Sequence, residues 1–247
     1  MRKIELYNKK IILEFDPEKH KYFVNGKKVK YSVTGVTGII DKSPQLMGWA
    51  VKCMAEYLIE KVDDGFVVGE ETILQAKREY RSISKKARDI GTAIHEWIEY
   101  WIKGEKPELP DDENIVNGIT AFLKWQKEHK AKFTDSERLI YSKKYKYCGT
   151  LDAIAKIGKD KVIIDFKSSK GIYNDHYYQL AAYWNAVEEM GEKIDYGMII
   201  RFGKEDGEFE VHTITKKEYL KDRKAFLGAL DIKRREDELK ELKKLKK

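Results

Sequence analysis

Asp152, Asp165 and Lys167 lie within one stretch, GTLDAIAKIGKDKVIIDFKSS, whose other residues include Val162, Ile163, Ile164 and Phe166. Charged groups among such apolar neighbours are costly in a sheet unless they are paired, hold a metal or do chemistry. Side chains alternate along a strand, so Asp165, Lys167 and Ile163 share one face, and Val162, Ile164 and Phe166 the other. Gly158-Lys159 suits a two-residue type II′ loop with glycine first, which pairs Ile157 with Asp160. Stepping back along that register sets Asp152 opposite Asp165. Two adjacent carboxylates repel, and a divalent cation reverses the sign. Magnesium takes oxygen ligands, usually one or two carboxylates together with waters and substrate phosphates. A lysine two residues on can sit by a scissile phosphate, helping to deprotonate a water or neutralising developing charge. The plainer alternative is an ion pair on an edge strand. Asp222-Arg223-Lys224 repeats the Asp-x-Lys pattern inside a helical segment and serves as a decoy.

Two helices could complete such a site. RDIGTAIHEWIEYWIKG has helical periodicity but carries Gly91, at a cost of about 1 kcal/mol against alanine, which suggests close approach by a strand or ligand. His95 follows one turn later and Glu99 shares its face, beside the apolar Ile94, Ile98, Trp101 and Ile102. An imidazole is a competent manganese ligand and tolerable near magnesium; the ordinary role for His95 is a satisfied core histidine. In YYQLAAYW, Gln179 and Tyr183 stand one turn apart. They form either the polar edge of a core helix or a pair that holds phosphate oxygens or a strand backbone.

The remaining elements must carry these groups. HKYFVNGKKVKYSVT reads as a hairpin turning at Asn25-Gly26. Ser43-Pro44 reads as an N-cap with proline in the first turn of a helix that ends at Asp63-Asp64-Gly65. A helical stretch from about Glu70 to Ile102, with one break, stops at Gly104, and another helix runs from Asp112 to about Lys130. From Arg138 the period changes to two: RLIYSKK, CGTLDAIAKI and KVIIDFKSS read as strands, DHYYQLAAYWNAVEEM as a helix, DYGMIIRF and EFEVHTI as strands. One or two helices close the chain. The expected architecture is one α/β unit with an N-terminal hairpin and helical elaboration. It is read as one domain: an elaboration over 1–84, a core over 85–230 and a basic tail over 231–247.

The chain of 247 residues is 42% hydrophobic and 37% charged, without repeats or low-complexity segments. No apolar run is long enough to span a membrane, and the N-terminus lacks a signal-peptide pattern. Cys53 and Cys148, the 2 cysteines, exclude a four-cysteine zinc or iron-sulfur site and point to a reduced, cytoplasmic setting. Lysine and arginine (49) exceed aspartate and glutamate (42) by 7. KRREDELKELKKLKK, at the end, supplies 4 of that excess with 8 basic and 4 acidic residues. Such a balance is compatible with nucleic acid, and a solvated charged helix is the other reading of the tail.

In this order the pieces resemble the PD-(D/E)XK nuclease superfamily, specifically its RecB-like exonuclease branch of phage and prokaryotic type. Gly91-x-x-x-His95-x-x-x-Glu99 looks like that branch's first helix motif, and Glu137 resembles the acidic residue before its second strand. Gly149-x-x-Asp152 matches the first metal-ligand motif, with Leu151 where the superfamily name has proline. Asp165-Phe166-Lys167 matches (D/E)XK, and Gln179-x-x-x-Tyr183 the helix that follows. The resemblance covers about residues 85–202, roughly half the chain.

It implies a restriction-endonuclease-like core, a central mixed sheet flanked by helices. It also implies one or two Mg²⁺ or Mn²⁺ ions bound by His95, Asp152, Asp165 and the carbonyl of Phe166, with Lys167 catalytic alongside Asp152 and Asp165. Glu99, Glu137, Gln179, Tyr183 and Gly91 would support the site or position DNA. No iron-sulfur cluster is expected, and no ATP, since no G-x-x-x-x-G-K-[ST] loop is present. The implied activity is DNA exonuclease hydrolysis to 5′-phosphates in recombination, repair or phage DNA processing, in the cytoplasm of a prokaryotic or virus-infected cell. The implied partners are DNA and a recombination protein such as a single-strand annealing or binding protein. The alternatives are a structure-selective endonuclease, or a nucleic-acid-binding module with a vestigial site.

Overall fold

Alternating burial in RKIEL and IILEFD, for which the patterning above offers no element, makes β1 (Arg2–Leu6) and β2 (Ile11–Asp16) in a computed structural model that describes residues 1–245. Lys246 and Lys247, the end of the expected basic tail, lie outside the described residues. β3 (Lys21–Val24) and β4 (Lys27–Lys28) follow. Their connection has φ of 49° at Asn25 and 76° at Gly26, the two positive values that a type I′ turn requires. These four strands form an antiparallel sheet in the order β1-β2-β3-β4.

The larger sheet holds six strands. β5 (Tyr31–Ser32) leads into α1 (Val33–Thr37), where the Ser32 hydroxyl caps the Gly35 amide. α2 (Ser43–Asp63), α3 (Glu70–Ile102) and α4 (Glu113–His129) come next, the last capped by Asp112 on the amides of Asn114 and Ile115. Then come β6 (Lys132–Ser142), β7 (Tyr147–Ile157), β8 (Asp160–Lys167), α5 (Asn174–Glu189), β9 (Tyr196–Phe202), β10 (Phe209–Ile214) and α6 (Lys216–Leu245). The sheet runs β10-β9-β8-β7-β5, with β6 on the other edge of β7. β8/β9 and β7/β5 are parallel and the remaining pairs antiparallel, so the sheet is mixed, as expected.

Helices cover both faces. On one, Leu180, Tyr183, Trp184 and Val187 of α5 join Leu151, Ile163 and Ile199 in a buried cluster. α6 backs it, with Tyr219 stacked on Trp184 at 4.3 Å. On the other, Phe122 and Trp125 of α4 pack edge-on against Phe166, with Phe133 and Phe202 completing an aromatic layer. Ile163 thus lies on one face and Phe166 on the other, the alternation expected of β8.

Two compact units divide the chain: residues 1–40 with 94–247, and residues 41–93. The first contains both sheets. The second contains α2 and the N-terminal part of α3, tied internally by Tyr57 OH donating to Gln75 Oε1 at 3.0 Å and by Trp49 edge-on to Tyr80. Among the described residues no helix is long and apolar enough to cross a membrane.

Two local expectations are corrected. α3 is unbroken over 33 residues: it contains no proline, and the penalty of one glycine is small beside the hydrogen bonds a break would lose. Ser43 is the first helical residue rather than the cap, which is Lys42. The C-terminal segment, expected as one or two helices, is one helix. Its Arg234 donates to the Tyr145 carbonyl at 2.6 Å, while Lys30 pairs with Asp237 at 3.6 Å, so part of the tail packs on its own unit.

Candidate metal centre

β7 builds the site by running out of partners on one edge. β6 pairs with one edge from Tyr147 to Lys156, skipping Asp152. On the other, β5 takes Tyr147 and Cys148 while β8 takes Ala153 to Ile157, leaving Gly149 to Asp152 without a ladder. The Gly158-Lys159 turn and the Ile157–Asp160 pair are as expected, with φ of 61° at Gly158. The ladder nevertheless stops at Ala153–Ile164, one pair short of Asp152–Asp165. Instead, Asp152 Oδ2 accepts the Phe166 amide at 2.7 Å. The side chain replaces the backbone acceptor and the strands part at the two aspartates.

Glu137 reaches the same place from β6. Its neighbours pair as Ser136–Ala153 and Arg138–Leu151, which sets Glu137 across from Asp152. Its φ of 49° is left-handed, a conformation that turns a strand residue out of the regular pleat. Arg2 donates to its carbonyl and stands 3.7 Å from its carboxylate. Burial pushes the Glu137 carboxyl up to about 8, with Asp152 and Glu99 adding repulsion against Arg2 and Lys103.

From α3, His95 brings Nδ1 to 4.0 Å from Asp152 Oδ1 and sets its ring edge-on to Phe166. Burial, then the nearby Lys167, pushes its pKa down to about 4, so it is neutral with a lone pair to offer. The side chain keeps 28% exposure, enough for a small ion to reach it. His95, Glu137 and Asp152 each present a ligand atom, all within 4.8 Å of one another. Those donors, one imidazole and two carboxylates, suit a hard or borderline divalent ion.

Asp165 lies outside that triad and is fully buried. Lys167 Nζ stands 2.6 Å from its Oδ2, yet neither carboxylate oxygen has an aligned hydrogen-bond partner among the described residues. Burial pushes Asp165 up to about 7; Lys167 opposes that shift and Asp152 adds to it. Burial likewise raises Asp152. A buried carboxylate whose one close partner is a lysine, with other carboxylates beside it, still has lone pairs that a bound cation would satisfy.

α5 holds the lysine. Lys167 Nζ donates to Gln179 Oε1 at 3.2 Å, and Gln179 Nε2 donates to Tyr183 OH at 3.0 Å. Burial and the charges of Asp165 and Asp152 raise Tyr183 well above the ordinary phenol range, so it stays protonated. Gly149 makes room for this helix: a Cβ there would come within 2.8 Å of Tyr183 Cε1 and 3.1 Å of Val33 Cγ2. Gly149→Ala is therefore expected to lower the urea midpoint, by about 1–3 kcal/mol of overpacking. Gly48→Ala, in α2 with nothing within 4 Å of the new Cβ, should instead be stabilising by up to about 1 kcal/mol. Equal effects would remove the close approach as the reason for glycine at 149.

The other expected positions divide. Glu99 pairs with Lys103 at 2.5 Å and acts on Glu137 only through its charge. Gly91 is buried in α3, within the 41–93 unit. Phe166 contributes its amide to Asp152 and its ring to the aromatic layer. The decoy Asp222 is helical, and burial followed by Glu218 raises its pKa. Sequence reasoning gave Glu137 a supporting place, whereas the structure puts it at ligand distance. A signal was present: four residues join Ser142 to Tyr147, and counting back along that hairpin reaches Glu137 opposite Asp152.

No family model matches the sequence, and no curated protein matches it. Among solved structures the chain is similar to SSO0001, at 16% identity and a TM-score of 0.28 over 45% of this chain and 57% of that one. It is also similar to an alkaline exonuclease (LHK-Exo) from Laribacter hongkongensis, at 13% identity and a TM-score of 0.33 over 74% of this chain and 91% of that one. The chain thus spans little more than half the length of SSO0001. Likenesses at these TM-scores do not bear on the site, whose chemistry rests on the residues described above.

Proposed function

We propose that this chain is a divalent-metal-dependent deoxyribonuclease, an exonuclease that hydrolyses phosphodiester bonds to leave 5′-phosphates, working in DNA recombination, repair or phage DNA processing. The observation that carries this reading is Asp165: a fully buried carboxylate with no well-aligned hydrogen bond among the described residues, ion-paired at 2.6 Å with Lys167 and beside the His95–Glu137–Asp152 cluster. A fully buried carboxylate with a lysine as its ion-pair partner and a cluster of other carboxylates beside it is costly to keep for a merely structural role.

His95, Asp152, Asp165 and the Phe166 carbonyl are the proposed ligands, with Glu137 added by its position. A bound Mg²⁺ or Mn²⁺ would supply positive charge for the phosphoryl oxygens. Asp152 spends one oxygen on the Phe166 amide and keeps the other for the site. His95, neutral, contributes a lone pair and no competing proton. Lys167, held by Gln179 and through it by Tyr183, has the proposed role of taking a proton from an attacking water or neutralising charge on the phosphate, and those two contacts support it.

The test is cleavage of DNA labelled at the 5′ or 3′ end, linear and closed circular, single- and double-stranded. Activity is expected with Mg²⁺ or Mn²⁺, with binding alone in Ca²⁺, whose longer coordination misplaces the reacting groups. Full cleavage in EDTA would sink the reading, and cutting of the closed circle would move it to an endonuclease. Binding without cleavage in Mn²⁺ would favour a vestigial site. Metal affinity should also rise from about pH 6 to above pH 8, because Asp165 (about 7) and Glu137 (about 8) must release protons to act as ligands. Calorimetry in two buffers of different ionisation heat reads that release directly.

A further inference from the structure

Outside the metal centre, the densest unexplained charge lies in the 41–93 unit. The segment KREYRSISKKAR, residues 77–88, carries Lys77, Arg78, Arg81, Lys85, Lys86 and Arg88 against the single acid Glu79. All six basic side chains are exposed. With 3.6 residues per turn, Lys77, Arg78, Arg81, Lys85 and Arg88 fall within about 100° of one helical face. Like charges so placed on α3 repel by a few tenths of a kcal/mol per pair (about 0.2–0.5), which a structural role would not favour. Among the described residues, Lys77, Arg78, Lys85, Lys86 and Arg88 make no ion pair, while elsewhere in the unit Lys52 and Lys61 have acidic partners.

Next to this stripe, and in the same unit, is a groove of about 480 Å³ between α2 and α3. Ala50, Val51, Met54 and Leu74 supply its apolar lining, and Lys77, Arg78 and Arg81 line it too. Val51 is 67% and Leu74 47% exposed, so the apolar surface is open to a ligand. Tyr80 adds an aromatic ring, held edge-on by Trp49 and by Arg81 Nε at 3.0 Å from its hydroxyl. An apolar floor with an aromatic ring and a row of unpaired cations is the combination that single-stranded nucleic acid uses, bases on the apolar side and phosphates on the charges.

We propose that the α2–α3 groove and the basic stripe bind a single strand of DNA. This deepens the nuclease reading and rests on it for DNA as the ligand. The stripe from Lys77 to Arg88 is about 16 Å long at 1.5 Å per residue, long enough to meet several successive phosphates of one strand. A second copy of the chain is the less favoured occupant. A two-fold contact through this groove would set Lys77, Arg78 and Arg81 against their own copies without acids between them.

The experiment uses the full chain carrying Asp165→Asn, so that the DNA survives, and fluorescence anisotropy with labelled oligo(dT) and with a blunt duplex over a range of NaCl. Replacing Lys77, Arg78, Lys85 and Arg88 together by glutamine should flatten the salt slope for oligo(dT) by about 3 and weaken binding about 10²- to 10³-fold near 0.1 M salt. Lys77→Arg with Lys85→Arg should retain both, which separates charge from folding. Leu74→Ser should weaken oligo(dT) binding more than duplex binding. Unchanged oligo(dT) affinity in the glutamine variant overturns the proposal, as does equal loss for strand and duplex in Leu74→Ser. Concentration-dependent dimers in sedimentation, abolished by Leu74→Ser while DNA binding persists, would assign the groove to self-association and also overturn it. The two readings fail separately. Stripe-dependent DNA binding in a wild-type chain that never cleaves with Mn²⁺ would defeat the nuclease reading alone. Metal-dependent cleavage in a chain whose DNA affinity ignores the stripe would defeat this one alone.

Discussion

Lys167→Ala is expected to lower single-turnover cleavage by about 10²- to 10⁴-fold while leaving DNA affinity nearly unchanged. The lysine is no magnesium ligand, so its loss removes help given in the transition state rather than the metal. Among the described residues it is also the one cation at ion-pair distance from Asp165, 2.6 Å away. Removing it should therefore raise metal affinity slightly, since a positive neighbour of the ligands is gone. DNA still binds because one phosphate contact among many is a small contribution. Lys167→Arg keeps the charge but neither the shape nor the titration behaviour, so it should rescue poorly. Gln179→Ala, which frees the lysine without removing it, should give a smaller loss of the same kind. Rapid-quench cleavage with calorimetric metal titration measures both quantities. A near wild-type rate in Lys167→Ala would reduce Asp-x-Lys to a structural ion pair.

Asp165→Asn should separate stability from function in the opposite way. Its carboxyl titrates at about 7 in the fold, above the ordinary carboxylate range, chiefly because it is buried. A folded-state pKa raised in this way contributes stability at low pH that is lost as pH rises through the folded value. At pH 8, without metal, the wild-type chain therefore carries an ionised, unsolvated carboxylate, and the amide removes that burden. The metal-free melting temperature of Asp165→Asn at pH 8 is expected to equal or exceed wild type, by about 2–4 °C for each kcal/mol relieved. Turnover should nevertheless fall by at least about 10²-fold, and the rise in melting temperature on adding Mn²⁺ should shrink. The matching change at the decoy, Asp222→Asn, should alter neither activity nor metal response. Scanning calorimetry at pH 5 and pH 8, with and without Mn²⁺, decides it. A variant that melts lower than wild type at pH 8 without metal would show that the carboxylate is structural.

Local chemistry made much of this chain readable. The Asn25-Gly26 turn, the Gly158-Lys159 turn, the helix beginning at Asp112 and the alternation of Ile163 with Phe166 each depend on a few neighbouring residues and reappear in the structure as expected. Less legible were elements whose identity depends on distant partners. β1 and β2 are defined by pairing with each other and by burial of Leu13 and Phe15 against Leu139 and Tyr141. The continuity of α3 likewise turned on a small glycine penalty set against a long hydrogen-bonded helix.

For the candidate site, the sequence by itself determined which groups are present and which share a strand face: Asp152, Asp165 and Lys167 by period two and a two-residue turn, Gln179 and Tyr183 by one helical turn. Those periodicities are properties of the backbone and need no tertiary partner. Only the tertiary structure decided where the strands part, that Glu137 turns toward Asp152 through a left-handed residue, and that Asp165 is fully buried against Lys167. The cost and usefulness of a charge are set by what surrounds it in space, and those surroundings come from β5, β6, α3 and α5, segments separated by tens of residues in the chain.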